Sequence, residues 1–203
     1  HAGARARPGL GGLARGARGV DLRVPEISYA QPLPDGRAGL AWHDLELTVE
    51  GLGSDGSAWR SLLAPLVEHS EAVVALAMGD KRSLPREVLS PSGVRTALAF
   101  ATGLLDQGTG AWNRRFSGEV APALLTGVAA HAIAPVPGLA PAGTALLLAS
   151  LAHAGGWPVP VGGTQSITQA LVADLLAHGG EILTEEPISS YRQLPRARAY
   201  LLD

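Results

Sequence analysis

Between Glu119 and Asp174 the chain carries no Asp, Glu, Lys or Arg, so residues 120–173 form an uncharged stretch of fifty-four positions that includes the run TALLLASLA (144–152). Such a segment has to face protein, lipid or an apolar ligand. A transmembrane span needs about 20 continuous apolar residues. Pro135, Pro137, Pro141 and the pair Gly155-Gly156 cut this one into shorter helices. The expectation is core helices near 119–133 and 141–154, leaving an apolar concavity close to Trp157. A greasy-substrate pocket and a surface resting on a membrane are the alternatives.

Composition narrows the classes further. With 46% apolar residues over 203 positions the chain can bury a core. Sixteen basic against 18 acidic residues leave a net charge of −2, which gives no basic field for a nucleic-acid backbone. Zero cysteines exclude disulfides and thiolate chemistry and suit a cytoplasmic setting. The six histidines lie too far apart for a helical ligand pair, so no metal is expected.

Residues 1–19, almost wholly Ala, Gly and Arg, show neither period and read as a disordered arm, of the kind a shifted reading frame in a GC-rich gene would give. From Val20 the character changes. Short β-prone runs around Pro34-Asp35-Gly36 predict a hairpin with strands near 26–31 and 37–42. Trp59, Leu62, Leu63, Leu66, Val73 and Val74 recur at helical spacing and predict helix over 57–78, with Asp55 as its cap and Pro65 as a kink. Further helices are expected from Pro91 to Leu105, over 117–133, and after Thr164. Strands are expected at Glu181 to Thr184 and from Arg196 to Asp203.

Gly51-Leu52-Gly53-Ser54-Asp55-Gly56 is a G-x-G-x-x-G behind DLELTVE, whose Leu45, Leu47 and Val49 alternate like a strand, and Asp80 stands at the distance of a ribose-binding acid. Against a dinucleotide site stand Asp55 inside the turn and Glu46 and Glu50 behind it, charges that repel a pyrophosphate. A plain helix entry is the competing reading. Gly9-Leu10-Gly11-Gly12-Leu13-Ala14 has no strand before it. There is no G-x-S-x-G, and Ser166 lacks an identifiable base. His131 and His153, inside the uncharged stretch, read as core histidines before catalytic ones.

The segment Gly155-Gly156-Trp157-Pro158-Val159-Pro160-Val161-Gly162-Gly163-Thr164-Gln165-Ser166, followed by a helix and HGGEILTEEPISS, resembles phytoene dehydrogenase-like FAD-dependent oxidoreductases, relatives of carotenoid desaturases. There a G-W-P-x-P-x-G-G run precedes a helix and a G-G-E-I-x-T strand. FSGEVAPALLTGVAAHAIAPV agrees, and the resemblance covers roughly 20–203. It implies an α+β substrate domain (20–156) and the start of the returning α/β FAD-binding domain (157–203), without the N-terminal fingerprint or the C-terminal flavin motif. It also implies hydride transfer from a hydrophobic, isoprenoid-like small-molecule substrate to FAD; the charge balance speaks against a nucleic-acid partner, and the uncharged stretch keeps peripheral membrane contact as an option. Pro160, Gly162 and Gly163 match the turn between the domains, and Ile188, after Pro187, the position whose backbone meets the adenine half of FAD. No catalytic residue is implied within the chain. A non-catalytic hydrophobic-ligand or interaction domain, and a dinucleotide enzyme using Gly51–Gly56, stay open.

Overall fold

The computed structural model describes residues 20–80, 82 and 85–202. The expected features of residues 1–19 and the terminal Asp203 lie outside them. About 54% of the described residues are helix and 8% strand.

The chain enters through a short strand β1 (Leu22–Arg23) and turns into the hairpin β2 (Ile27–Pro32) and β3 (Ala38–Trp42). The two strands pair antiparallel, Ala30 opposite Leu40 and Gln31 opposite Gly39, with a register shift between Ile27 and Tyr29. Pro34-Asp35-Gly36 makes the turn as expected: Gly36 takes φ +85°, and Leu33 N–H donates to Arg37 O at 2.9 Å.

Residues 45–51, read as a strand from their alternation, are helix α1 (Leu45–Gly51). Asp44 caps it, its carboxylate accepting the Glu46 N–H at 2.8 Å. Leu45, Val49 and Leu52, four and three apart, turn toward the core while Leu47 stays exposed. Thr48, fully buried, accepts the Trp42 N–H on its hydroxyl at 2.8 Å and ties α1 to the hairpin. Leu45 and Val49 satisfy both periods, and the capping carboxylate selects the helical one.

A 3₁₀ turn (Gly53–Asp55) leads into α2 (Gly56–Glu68), where Trp59, Leu62, Leu63 and Leu66 are buried at the expected spacing. The chain breaks at His69 and restarts as α3 (Ser70–Met78), bent by 84°. Pro65 lies within α2, and the break falls four residues after it. Ala72 to Met78 is therefore helix, as the sequence spacing indicates, and no strand carries Asp80. After a 3₁₀ turn (Arg86–Val88), α4 (Pro91–Gly108) starts with Pro91 in its first turn and the Ser90 hydroxyl accepting the Gly93 N–H at 3.0 Å. Gly103 lets α4 close on α2 and on the later helix α6 (Leu139–Ala154), since a Cβ there would sit 3.2 Å from Leu62 and Leu146 side chains.

The uncharged stretch supplies α5 (Val120–Ala129), a 3₁₀ turn (Ala130–Ala132) and α6 (Leu139–Ala154). Helix α6 is the hub: α2, α3, α4, α5 and the hairpin all pack on it, which is why it is apolar around its whole circumference. Ala142, Ala145, Leu146 and Ala149 are wholly buried, as are Leu124 and Leu125 from α5. Each buried leucine is worth about 1.5–3 kcal/mol relative to an exposed one. No single helix among the described residues is long and apolar enough to cross a membrane.

Beyond α6, β4 (Val159–Pro160) pairs antiparallel with β1, Leu22 opposite Pro160, and α7 (Gln165–Ala177) follows. Residues 181–184 and 196–202, both expected as strands, form none. Ile182, Leu183, Leu201 and Leu202 are exposed, and a lone extended segment without a neighbour cannot make a ladder.

Candidate functional site

The sequence points to the segment between α6 and α7. Trp157 is docked rather than free: its ring stacks on Tyr29 of β2 with centroids 4.9 Å apart and planes at 22°, and His131 meets it edge-on at 6.3 Å. Its indole N–H donates to Leu148 O at 3.3 Å. Gly156 makes this approach possible, with φ +66° and a Cβ position filled by the Val24 side chain. The Tyr29 hydroxyl is buried with no hydrogen-bond partner among the described residues, and burial pushes its pKa up.

Past Trp157 the backbone runs outward. Pro160 is held by β1, and the Val161 N–H donates to Asp21 O at 2.9 Å. Gly162 and Gly163 follow with φ +81° and +87°, consecutive left-handed residues that explain why the sequence has a glycine pair there. Both are exposed, and nothing lies within 4 Å of either Cβ position, so the outer side of the turn is open. The Gly163 N–H closes back on Pro160 O at 3.1 Å. The Ser166 hydroxyl donates to Gly163 O at 2.8 Å, a backbone carbonyl rather than a base.

Helix α7 ends in a glycine-built cap: Gly179, φ +78°, donates its N–H to Leu176 O, and the Gly180 N–H reaches back to Leu175 O at 2.9 Å. On α7 Ala170 alone is buried, packing with Ile167 against Val20 and Leu22, while Leu171, Leu175 and Leu176 are about half exposed. Ile188 is 52% exposed, and neither its N–H nor its carbonyl is engaged by a described residue. The structure thus brings Pro160, Gly162 and Gly163 into one turn. No hydrogen bond among the described residues joins Ile188 to it.

The G-x-G-x-x-G turn has a different use. Helix α1 stands where a fingerprint needs a strand. The Cβ position of Gly56 is blocked by the Val49 carbonyl, so this glycine serves the packing of α2 on α1. Asp55, expected to cap α2, makes no such bond. Its carboxylate accepts the Ser117 N–H and hydroxyl, both at 2.7 Å, and the Gly118 N–H at 2.9 Å. Burial opposes the charge, but these three donors outweigh it and lower the Asp55 pKa. The turn therefore holds an ionised carboxylate where a pyrophosphate site needs bare N–H groups.

His153 is 5% exposed and fully engaged. Trp42 O can only accept and the Trp59 indole N–H can only donate. Nδ1 therefore carries the proton and donates at 2.8 Å, while Nε2 accepts at 3.2 Å. Burial pushes its pKa down to about 4. It is a neutral core histidine, not a base. Among the described residues no group of three His, Asp or Glu side chains is placed to hold a metal ion.

Local sequence did not reveal the Asp55 anchor, since Ser117 lies sixty-two residues away, nor the stacking of Trp157 on Tyr29. No protein family, curated protein or solved structure matches this chain.

Proposed function

We propose that this chain is part of an FAD-dependent oxidoreductase similar to phytoene dehydrogenase-like enzymes, acting on a hydrophobic, isoprenoid-like substrate. The observation that carries the reading is the Val159–Gly163 turn: a strand end, two left-handed glycines with open space on their outer side, then a helix. Backbone with no side chain in the way is what a flat ring system needs for close approach. The unengaged N–H and carbonyl of Ile188 suit contact with an adenine edge. FAD would supply the chemistry, taking a hydride from a substrate C–H bond, while this chain orients and excludes water. No described residue offers a pyrophosphate cradle, so the 203-residue chain by itself should hold FAD weakly. The buried faces of α5 and α6 are used up in the core, and the Trp157 ring is packed by Tyr29 and His131. We infer that substrate contacts come from the surface around the glycine turn.

A second reading, a non-catalytic interaction domain, draws support from the exposed leucines of α7 and from Ile182 and Leu183. The flavin content of the protein made from the gene's full reading frame separates the two. FAD that co-purifies, is identified by mass, and falls several-fold in occupancy in Gly163→Val supports the oxidoreductase. A flavin-free product that does not quench added FAD fluorescence sinks it.

A further inference from the structure

Helix α4 carries a second apolar face that the core does not use. Its inner side packs through Thr96, Gly103 and Gln107, all buried. On the outside Val94, Leu98 and Leu105 are 49%, 61% and 59% exposed, and Ala101 is exposed between them. Single exposed apolar side chains are ordinary on a protein surface. These four are not scattered. They fall 4, 3 and 4 positions apart, which on an α-helix confines them to an arc of about 60°. Burial against a broad apolar surface calls for a stripe of about 100° or more, whereas a narrow seam at this spacing is what one helix offers to another.

The seam is complementary to itself. Turned end for end about a two-fold axis between Leu98 and Ala101, a second α4 sets Leu98 against Ala101 and Val94 against Leu105, each pairing occurring twice. Both central layers match a large side chain with a small one, so the two helices can close. The charges agree with the same register. Arg95 and Asp106, eleven positions or about three turns apart, flank the seam on one side. Arg95 is exposed, and its guanidinium has no ion pair or hydrogen bond among the described residues. Asp106 holds Arg115 and Gln107 on Oδ2, while its Oδ1 has no partner among the described residues. In the antiparallel pair Arg95 of each copy stands within one helical turn of Asp106 of the other. A parallel pair leaves Arg95 with no acid of α4 at its level, because Asp106 is the helix's sole acid and lies at its far end.

We propose that α4 is a self-association surface: it pairs with α4 of a second copy of this chain, antiparallel along Val94, Leu98, Ala101 and Leu105, with Arg95 of each copy facing Asp106 of the other. Four side chains per copy fall short of the roughly 800 Å² per partner of a standard interface, so dimers should form at micromolar rather than nanomolar concentration. The proposal is independent of the flavin assignment.

The test is sedimentation equilibrium of the 203-residue chain from micromolar to millimolar concentration at low salt. A monomer–dimer equilibrium is expected, weakened at least tenfold in Leu98→Asp and several-fold in Arg95→Glu, with circular dichroism showing that both variants keep their helix content. Orientation is read separately, because the chain has no cysteine of its own. Brief oxidation of a mixture of Val94→Cys and Leu105→Cys should yield disulfide-linked dimers at least tenfold faster than oxidation of either variant alone. That comparison decides the matter even where Leu98→Asp does not fold. A chain that stays monomeric at millimolar concentration, a dimer that folded Leu98→Asp or Arg95→Glu leaves unweakened, or disulfides that form as fast in one variant alone as in the mixture would each overturn the proposal.

Discussion

At the scale of single residues, buried polar groups act as ties between distant parts of the chain, and each makes a measurable claim. His153 must stay neutral to accept the Trp59 N–H, because a proton on Nε2 would set donor against donor. Its pKa is near 4 folded, against about 6.5 unfolded. The unfolded chain therefore binds the proton first as pH falls. Stability is fully present above about pH 6.5 and declines toward pH 4, at about 1.4 kcal/mol per pH unit and about 3 kcal/mol in all. Urea unfolding at pH 7 and pH 4.5 should show this loss; a flat profile would contradict a buried, neutral His153. Asp55→Ala should cost about 2–3 kcal/mol, since it strands the N–H groups of Ser117 and Gly118 beside the start of α5. Gly156→Ala forces a side chain into a left-handed position and onto Val24, and should cost about 1–3 kcal/mol by the same urea measurement.

At the scale of elements, the hairpin and the helices over 56–78, 91–108, 120–129, 139–154 and 165–177 follow from periodicity and punctuation in the sequence, because their stabilising contacts recur locally. Two readings fail for physical reasons. Residues 45–51 alternate, yet the Asp44 cap and the contact of Thr48 with Trp42 favour helix. Residues 181–184 look like a strand, but a strand exists only through a partner, and none is present among the described residues. The candidate glycine turn was legible because left-handed backbone demands glycine. The stacking of Trp157 on Tyr29 was not, since it joins two rings 128 positions apart in the chain. Helix α7 buries Ala170 alone, so its amides should exchange with solvent much faster than those of α5 and α6, whose inner faces are closed off. Hydrogen exchange that protects α7 as strongly as α6 would show that its leucines are covered in solution.

At the scale of the whole molecule, stability is uneven: a helical body gathered on α6, then a C-terminal segment, residues 159–202, that packs through a few small contacts. Limited proteolysis should cut first within 181–202, where the backbone is exposed and joins no strand ladder or α-helix, and leave a resistant product ending near Gly180. Early cuts inside α2 or α6 would refute that order. The pairing of Leu22 with Pro160 and Arg23 with Val159 carries one more consequence. Adjacent strands run about 4.8 Å apart, so the polypeptide enters and leaves the body formed by residues 24–158 through a single doorway. A body whose doorposts nearly touch can be spliced into a surface loop of an unrelated host, stretching neither partner and demanding little loop-closure entropy. Residues 24–158 are in that sense a portable unit.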